Sequence, residues 1–110
     1  MAESLKSYAT QDQIAELNSK MVQYYDASLT SQANINLGAN AKGTVNIAKP
    51  SSIGNNAKIL GFIVTSASND YIVINRVTLY STEISVVVQN LSTSSITVTS
   101  CTMRLVYINE

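Results

Sequence analysis

Few side chains in this sequence have the chemistry for catalysis, and those present are not grouped. The chain has no histidine and a single cysteine, Cys101, which excludes histidine-based acid–base catalysis, a catalytic triad and the usual zinc sites. Its seven carboxylates form no spaced cluster, and its four glycines form no phosphate-binding loop. We therefore expect a protein that is not an enzyme and needs no cofactor or metal. Cys101 is expected to be a small buried apolar side chain.

Three tyrosines and one asparagine are the remaining candidates for a ligand or modification site. A glycan site needs aromatic platforms, and Tyr71, Tyr80 and Tyr107 have the right type, although each is equally typical of packing within a sheet. Asn90 opens the sequence Asn-Leu-Ser, which matches a glycosylation sequon. In a chain this rich in asparagine and serine, a chance match is the simpler interpretation.

The charges are few and balanced, with seven Lys and Arg against seven Asp and Glu. The cations are scattered, so the sequence predicts no binding to nucleic acid. The longest apolar run, residues 59–64, is too short to cross a bilayer, and the start lacks a signal-peptide core, so we expect synthesis in a cytoplasm and no membrane insertion. Arg76 and Arg104 are expected on solvated strand faces, with an ion pair to Glu83 across a subunit boundary as the alternative.

Residues 10–25 have the apolar spacing of an amphipathic helix. Four large side chains recur at intervals of three, four and three residues, which is the a/d seam of a coiled coil. These residues are Ile14, Leu17, Met21 and Tyr24. The sequence therefore predicts a helical stalk over residues 10–27, with the seam as the oligomer contact. The alternative is a helix that folds back onto its own sheet, because an isolated helix of this length is marginal in water.

Beyond the stalk the apolar spacing changes to two, and turn residues separate six or seven short strands. This pattern predicts an antiparallel β-sandwich or jelly-roll-like head over residues 28–110. Ile59–Thr65 is apolar on both faces, which favours a central strand. The last strand begins near Ile96 and changes parity, so a bulge is expected near Ser100–Cys101. The strands carry few charges to guard their edges, which favours an oligomer that covers them.

The order of these parts resembles small bacteriophage fibre proteins. Residues 8–29, YATQDQIAELNSKMVQYYDASL, open the chain in the style of a fibre stalk, and a β segment rich in Ser, Thr and Asn follows. The resemblance implies a homotrimer located in the virion, attached to other virion proteins by its N-terminus, with a head that contacts host-surface glycans. The chain is short for a whole tail fibre, which suits a head fibre, a decoration protein or a fibre tip better.

Two main functions are consistent with these patterns, with a phage-encoded assembly adaptor as a third option. The first is a virion structural protein in which residues 1–9 form a flexible anchor and Leu5 and Tyr8 fit into pockets on the particle. The second is a carbohydrate-binding module or adhesin. The seam alone does not decide between a dimer and a trimer, because Ile14 and Leu17 at positions a and d favour two strands whereas the resemblance implies three.

Overall fold

The computed structural model describes residues 21–110, and strands make up 59% of them. This described part is mainly β, and every strand pairing within it is antiparallel. The eight strands are β1 (Gln23–Ser28), β2 (Ile35–Leu37), β3 (Lys42–Ala48), β4 (Lys58–Ala67), β5 (Ile72–Leu79), β6 (Glu83–Asn90), β7 (Ile96–Val98) and β8 (Cys101–Ile108).

The strands form two three-stranded sheets and one short pair. The sheet orders are β1–β8–β4 and β3–β6–β5, and β2 pairs with β7. The pairing is nested, because β1 pairs with β8, β2 with β7 and β3 with β6, while the chain passes from one sheet to the other between β4 and β5. This arrangement is compatible with the β-sandwich that the sequence predicts.

The core lies between the inner faces of the two central strands, β6 and β8. On both strands every second side chain is buried, as a strand with one face on a core requires. The buried residues of the two strands belong to one hydrophobic cluster. They are Ile84, Val86 and Val88 on β6, and Cys101, Met103, Leu105 and Tyr107 on β8. Burial raises the pKa of the Cys101 thiol, and the prediction of a buried apolar cysteine is confirmed.

The prediction of a helical stalk is wrong over residues 21–27, the part of the stalk that the structure describes. Tyr24 and Asp26 lie in β1, where exposed side chains alternate with more buried ones. Six residues of β1 pair with β8 and bury Ala27 in the core. That non-local pairing outweighs a local helical preference, which is weak in so short a segment. Of the four seam residues, only Met21 and Tyr24 are described. Ile14 and Leu17 lie outside the described residues, as do the proposed anchor residues Leu5 and Tyr8.

The prediction that β4 is a central strand is also wrong, because β4 is an edge of its sheet in the described part of the chain. Two register shifts interrupt its pairing with β8, between Ile59 and Gly61 and between Val64 and Ser66. Bulges of this kind protect edge strands without charge. The scarcity of charged edge residues is therefore weaker support for an oligomer than the sequence suggested.

The expected bulge near Ser100–Cys101 is instead a break between two strands. Val98 is the buried last residue of β7, and Cys101 is the buried first residue of β8. The break is held by Ser68, whose Oγ accepts hydrogen bonds from the backbone N–H groups of Thr99 (3.0 Å) and Ser100 (3.3 Å). The parity change in the sequence thus marks a change of pairing partner, from β2 to β1 and β4.

Candidate functional site

The most distinctive surface of the described residues is the solvent side of the β1–β8–β4 sheet, which we call the outer face. The register aligns Tyr24 with Val106 and Gly61 in one row across the sheet. The next row aligns Asp26 with Arg104 and Ile63. The large apolar members of the outer face and its margins are Val22, Tyr24, Leu60, Ile63, Val106 and Ile108.

Several of these apolar side chains are well exposed. The exposed fractions are 62% for Tyr24, 55% for Leu60 and 60% for Ile63. By contrast, the outward side chains on the β3–β6–β5 sheet are mostly polar, as at Thr44 and Asn46. Contiguous exposed apolar patches are uncommon on monomeric soluble proteins and mark interaction surfaces. The outer side of the β1–β8–β4 sheet is therefore suited to contact with another molecule, whereas that of the β3–β6–β5 sheet is suited to water.

Arg104 lies in the middle of the outer face, and Asp26 balances its positive charge there. Its Nε donates to Oδ1 of Asp26 at 2.8 Å and its Nη2 donates to Oδ2 at 3.0 Å, which is the two-bond geometry of an arginine–carboxylate pair. The guanidinium carbon also lies 4.3 Å from the centroid of the Tyr24 ring. Arg104 thus lies on a solvated strand face as expected, with its side chain 42% exposed, and its partner there is Asp26. The alternative, a pair with Glu83 across a subunit boundary, stays a prediction.

This ion pair predicts how Asp26 titrates. The hydrogen bonds from Arg104 hold the pKa of the Asp26 carboxyl below its usual value of 3.8. Because the pKa is lowered in the folded chain, the pair stabilises the fold above about pH 4 and this contribution is lost as the pH falls through the lowered pKa. We expect NMR titration to give Asp26 a pKa below 3.8 and Arg104→Gln to raise it. Arg76→Gln, on the other sheet, is the control and should leave it unchanged; an equal effect of both variants would contradict the assignment.

Gly61 leaves a recess in the outer face beside Val106. A Cβ atom built at Gly61 would meet no described atom within 4 Å beyond its two chain neighbours, and no described glycine has a positive φ. Neither backbone conformation nor packing within the described chain therefore requires glycine at this position. A glycine inside a strand often marks a place where a ligand or another backbone approaches closely.

The candidate glycan residues are not brought together. Tyr107 is buried, and its hydroxyl donates to Oε1 of Gln23 at 3.2 Å. Tyr71 and Tyr80 are exposed but flank opposite ends of β5, about 30 Å apart along an extended chain. The three tyrosines form no common platform, so Tyr107 belongs to the core and the other two are separate surface residues.

A cleft of about 290 Å³ opens between β2 and β3. Its floor is apolar and includes Leu37 and Val88, and the exposed residues Asn34, Thr44 and Asn46 also line it. Its volume is near the lower limit for small-molecule sites. Amides and hydroxyls around an apolar floor suit a small polar ligand. No sequence motif indicates this cleft, because the residues that line it come from separate strands.

Asn90 is a structural residue rather than a modification site. Its side chain is fully buried, and its Nδ2 donates to the carbonyl oxygens of Gly38 (2.9 Å) and Ser94 (2.8 Å), with that of Leu37 at 3.4 Å. Its Oδ1 accepts from the backbone N–H of Ser92 at 2.8 Å. The sequon is thus a turn in which the asparagine amide is already bonded, and the folded chain presents no free amide there.

No group of three or more His, Cys, Asp or Glu side chains within residues 21–110 is placed to hold a metal ion. The same residues contain no helix of sufficient length and apolarity to cross a membrane. No protein family, curated protein or solved structure compared with the chain matches it.

Proposed function

We propose that this chain is a non-enzymatic structural protein of a bacteriophage particle, a homotrimeric knob attached to other virion proteins by its N-terminal residues. The observation that carries the proposal is the apolar outer face, with Tyr24, Leu60 and Ile63 exposed on it, because surfaces of this kind are typically covered in an assembly. The fibre-like order of residues 8–29 and the Ser, Thr and Asn-rich head support a phage particle as that assembly. The contact between copies is assigned to the β head, since the helical stalk is wrong over the described residues.

The proposed attachment predicts that residues 2–9 are needed for incorporation and not for folding. Deleting them should leave the β-rich circular-dichroism spectrum unchanged, and light scattering should still give three copies, as for the full chain at three times 11.8 kDa, while the shortened chain disappears from purified particles. The paired variants Leu5→Ala and Tyr8→Ala should act like the deletion, because these side chains fit the particle's pockets in this proposal. Ser7→Ala is the matched control. Normal incorporation of the truncated chain would place the attachment on the head and describe a decoration cap instead.

The second candidate is a carbohydrate-binding module, and the cleft between β2 and β3 is the observation that favours it. Sugar hydroxyls would bond to Asn34, Thr44 and Asn46 while the ring packs on the apolar floor. NMR titration with neutral oligosaccharides should then shift the signals around this cleft, and Asn46→Ala should weaken the shifts. The absence of shifts in a folded chain would reject this candidate and leave the first unaffected.

A further inference from the structure

We propose that the outer face is the surface that copies of this chain bury against one another, with Gly61 at the point of closest approach. The inference rests on the proposed function for the existence of an oligomer. It adds which surface forms the contact and what chemistry the contact has.

The charges of the outer face favour a second copy as its occupant. Arg104 is held by Asp26 across two hydrogen bonds, and Lys58 at the start of β4 lies 3.2 Å from a carboxylate oxygen of Glu110. Each cation near this surface is therefore paired within its own chain. A nucleic acid, an anionic membrane or an acidic peptide would find no unpaired positive charge on the described face. A neutral, apolar partner fits better, and the same face on another copy is such a partner.

The shape of the outer face also suits contact between copies. Tyr24 and Ile63 are exposed on it, while Gly61 leaves open space on the β4 side of Val106, opposite Tyr24. A surface that has both a projection and a recess can pack against its own copies, since a projecting side chain of one copy enters the recess of another. This explains a glycine that neither its φ angle nor packing within the described chain requires.

The size of the face sets the expected strength of the contact. Three strands of about eight residues cover about 14 by 27 Å, which is modest beside the roughly 800 Å² per partner of a stable interface. Association through this face alone is therefore expected to depend on concentration in the micromolar range. Measurements on the full chain should span about 1 to 100 µM.

Thiol labelling tests whether the face is covered. Ile63→Cys puts a thiol on the face beside Arg104, and Tyr80→Cys puts one at a position of matching exposure (60% and 58%). Cys101 is buried and should not react. We expect maleimide to label Ile63→Cys at least about tenfold more slowly than Tyr80→Cys at high concentration, with the difference shrinking on dilution. Equal rates in an oligomeric chain would overturn the inference while leaving the proposed function standing. Slow labelling of a chain that is monomeric at every concentration would show that residues 1–20 of the same chain cover the face, and would also overturn it.

A substitution at Gly61 tests the closest approach. Gly61→Glu has open space in the single chain, so it should fold normally, yet it places a charge in the contact and should reduce the mass from oligomer to monomer. Gly38→Glu is the matched control, because a Cβ there makes only an ordinary 3.9 Å contact with Ala41 and the site lies in the turn between β2 and β3. An unchanged mass for folded Gly61→Glu would overturn the inference. Particle incorporation of the wild type is scored separately, so failure of the interface and failure of the proposed function remain distinguishable.

Discussion

Replacing Asn90 with Asp is expected to lower the free energy of unfolding by about 3–5 kcal/mol at pH 7, because it buries a carboxylate against carbonyl oxygens. The wild-type amide donates hydrogen bonds to Gly38 and Ser94, and a carboxylate cannot donate. The two turns that Asn90 joins, between β2 and β3 and between β6 and β7, would then lose their buried link. Urea denaturation at constant m-value measures the change.

The pH dependence of the stability of Asn90→Asp distinguishes the effect of the buried charge from the effect of the lost hydrogen bonds. Burial beside acceptors raises the pKa of a carboxyl above its unfolded value of about 3.9. The protonated form can donate one hydrogen bond, so Asn90→Asp should be most stable below about pH 4 and lose stability as the pH rises through the raised pKa. Asn90→Ala should be destabilised without this pH dependence. Asn75→Asp is the control, since the Asn75 side chain is exposed and bonds only to that of Gln89. A small, pH-independent effect at Asn90 would contradict the buried network.

Leu105→Ala is expected to destabilise the fold by about 3–5 kcal/mol, because it opens a cavity at a fully buried position of the central strand β8. Phe62 is the matched comparison, since it lies directly opposite Leu105 on β4 and is only partly buried. Phe62→Ala should cost less, about 2 kcal/mol, although removal of a fully buried phenylalanine costs about 3–5 kcal/mol. Urea denaturation of both variants tests the sheet order. Equal losses would mean that β4 is covered as fully as β8.

The alternation of apolar and polar residues predicts several strands well, and β3 and β6 are the clearest cases. In β3 the less exposed Val45 and Ile47 alternate with Thr44 and Asn46. In β6 the buried Ile84, Val86 and Val88 alternate with an outer side that is polar except at Val87. The same rule fails for β4, because apolar residues on both sides indicate a central strand only when both faces of a sheet are covered. In this fold each of the two three-stranded sheets has one inner side. Leu60 and Ile63 therefore mark an exposed apolar surface, which the sequence alone did not separate from a core.

The error at β1 has a different physical cause. Met21 and Tyr24 fit helical spacing, yet the alternation of Tyr24, Asp26 and Ser28 with more buried neighbours fits a strand equally well. The choice is made by pairing with β8, whose residues lie about eighty positions away, such as Arg104 opposite Asp26. The ion pair and the Asn90 network are missed for the same reason, since strand register over such distances leaves no local signal.

The central position of β8 has a consequence for how the chain reaches its fold. Both β1 and β4 pair with β8, across sequence separations from 34 residues (Ala67 with Cys101) to 84 residues (Gln23 with Tyr107). Folding rates fall as contacts become more distant in sequence, so refolding is expected on the slow, millisecond-to-second scale of β topologies. Until β8 docks, β1 and β4 lack their shared partner while carrying Tyr24, Leu60 and Ile63. Such intermediates aggregate readily, so the yield of refolded protein should fall as the concentration during refolding rises.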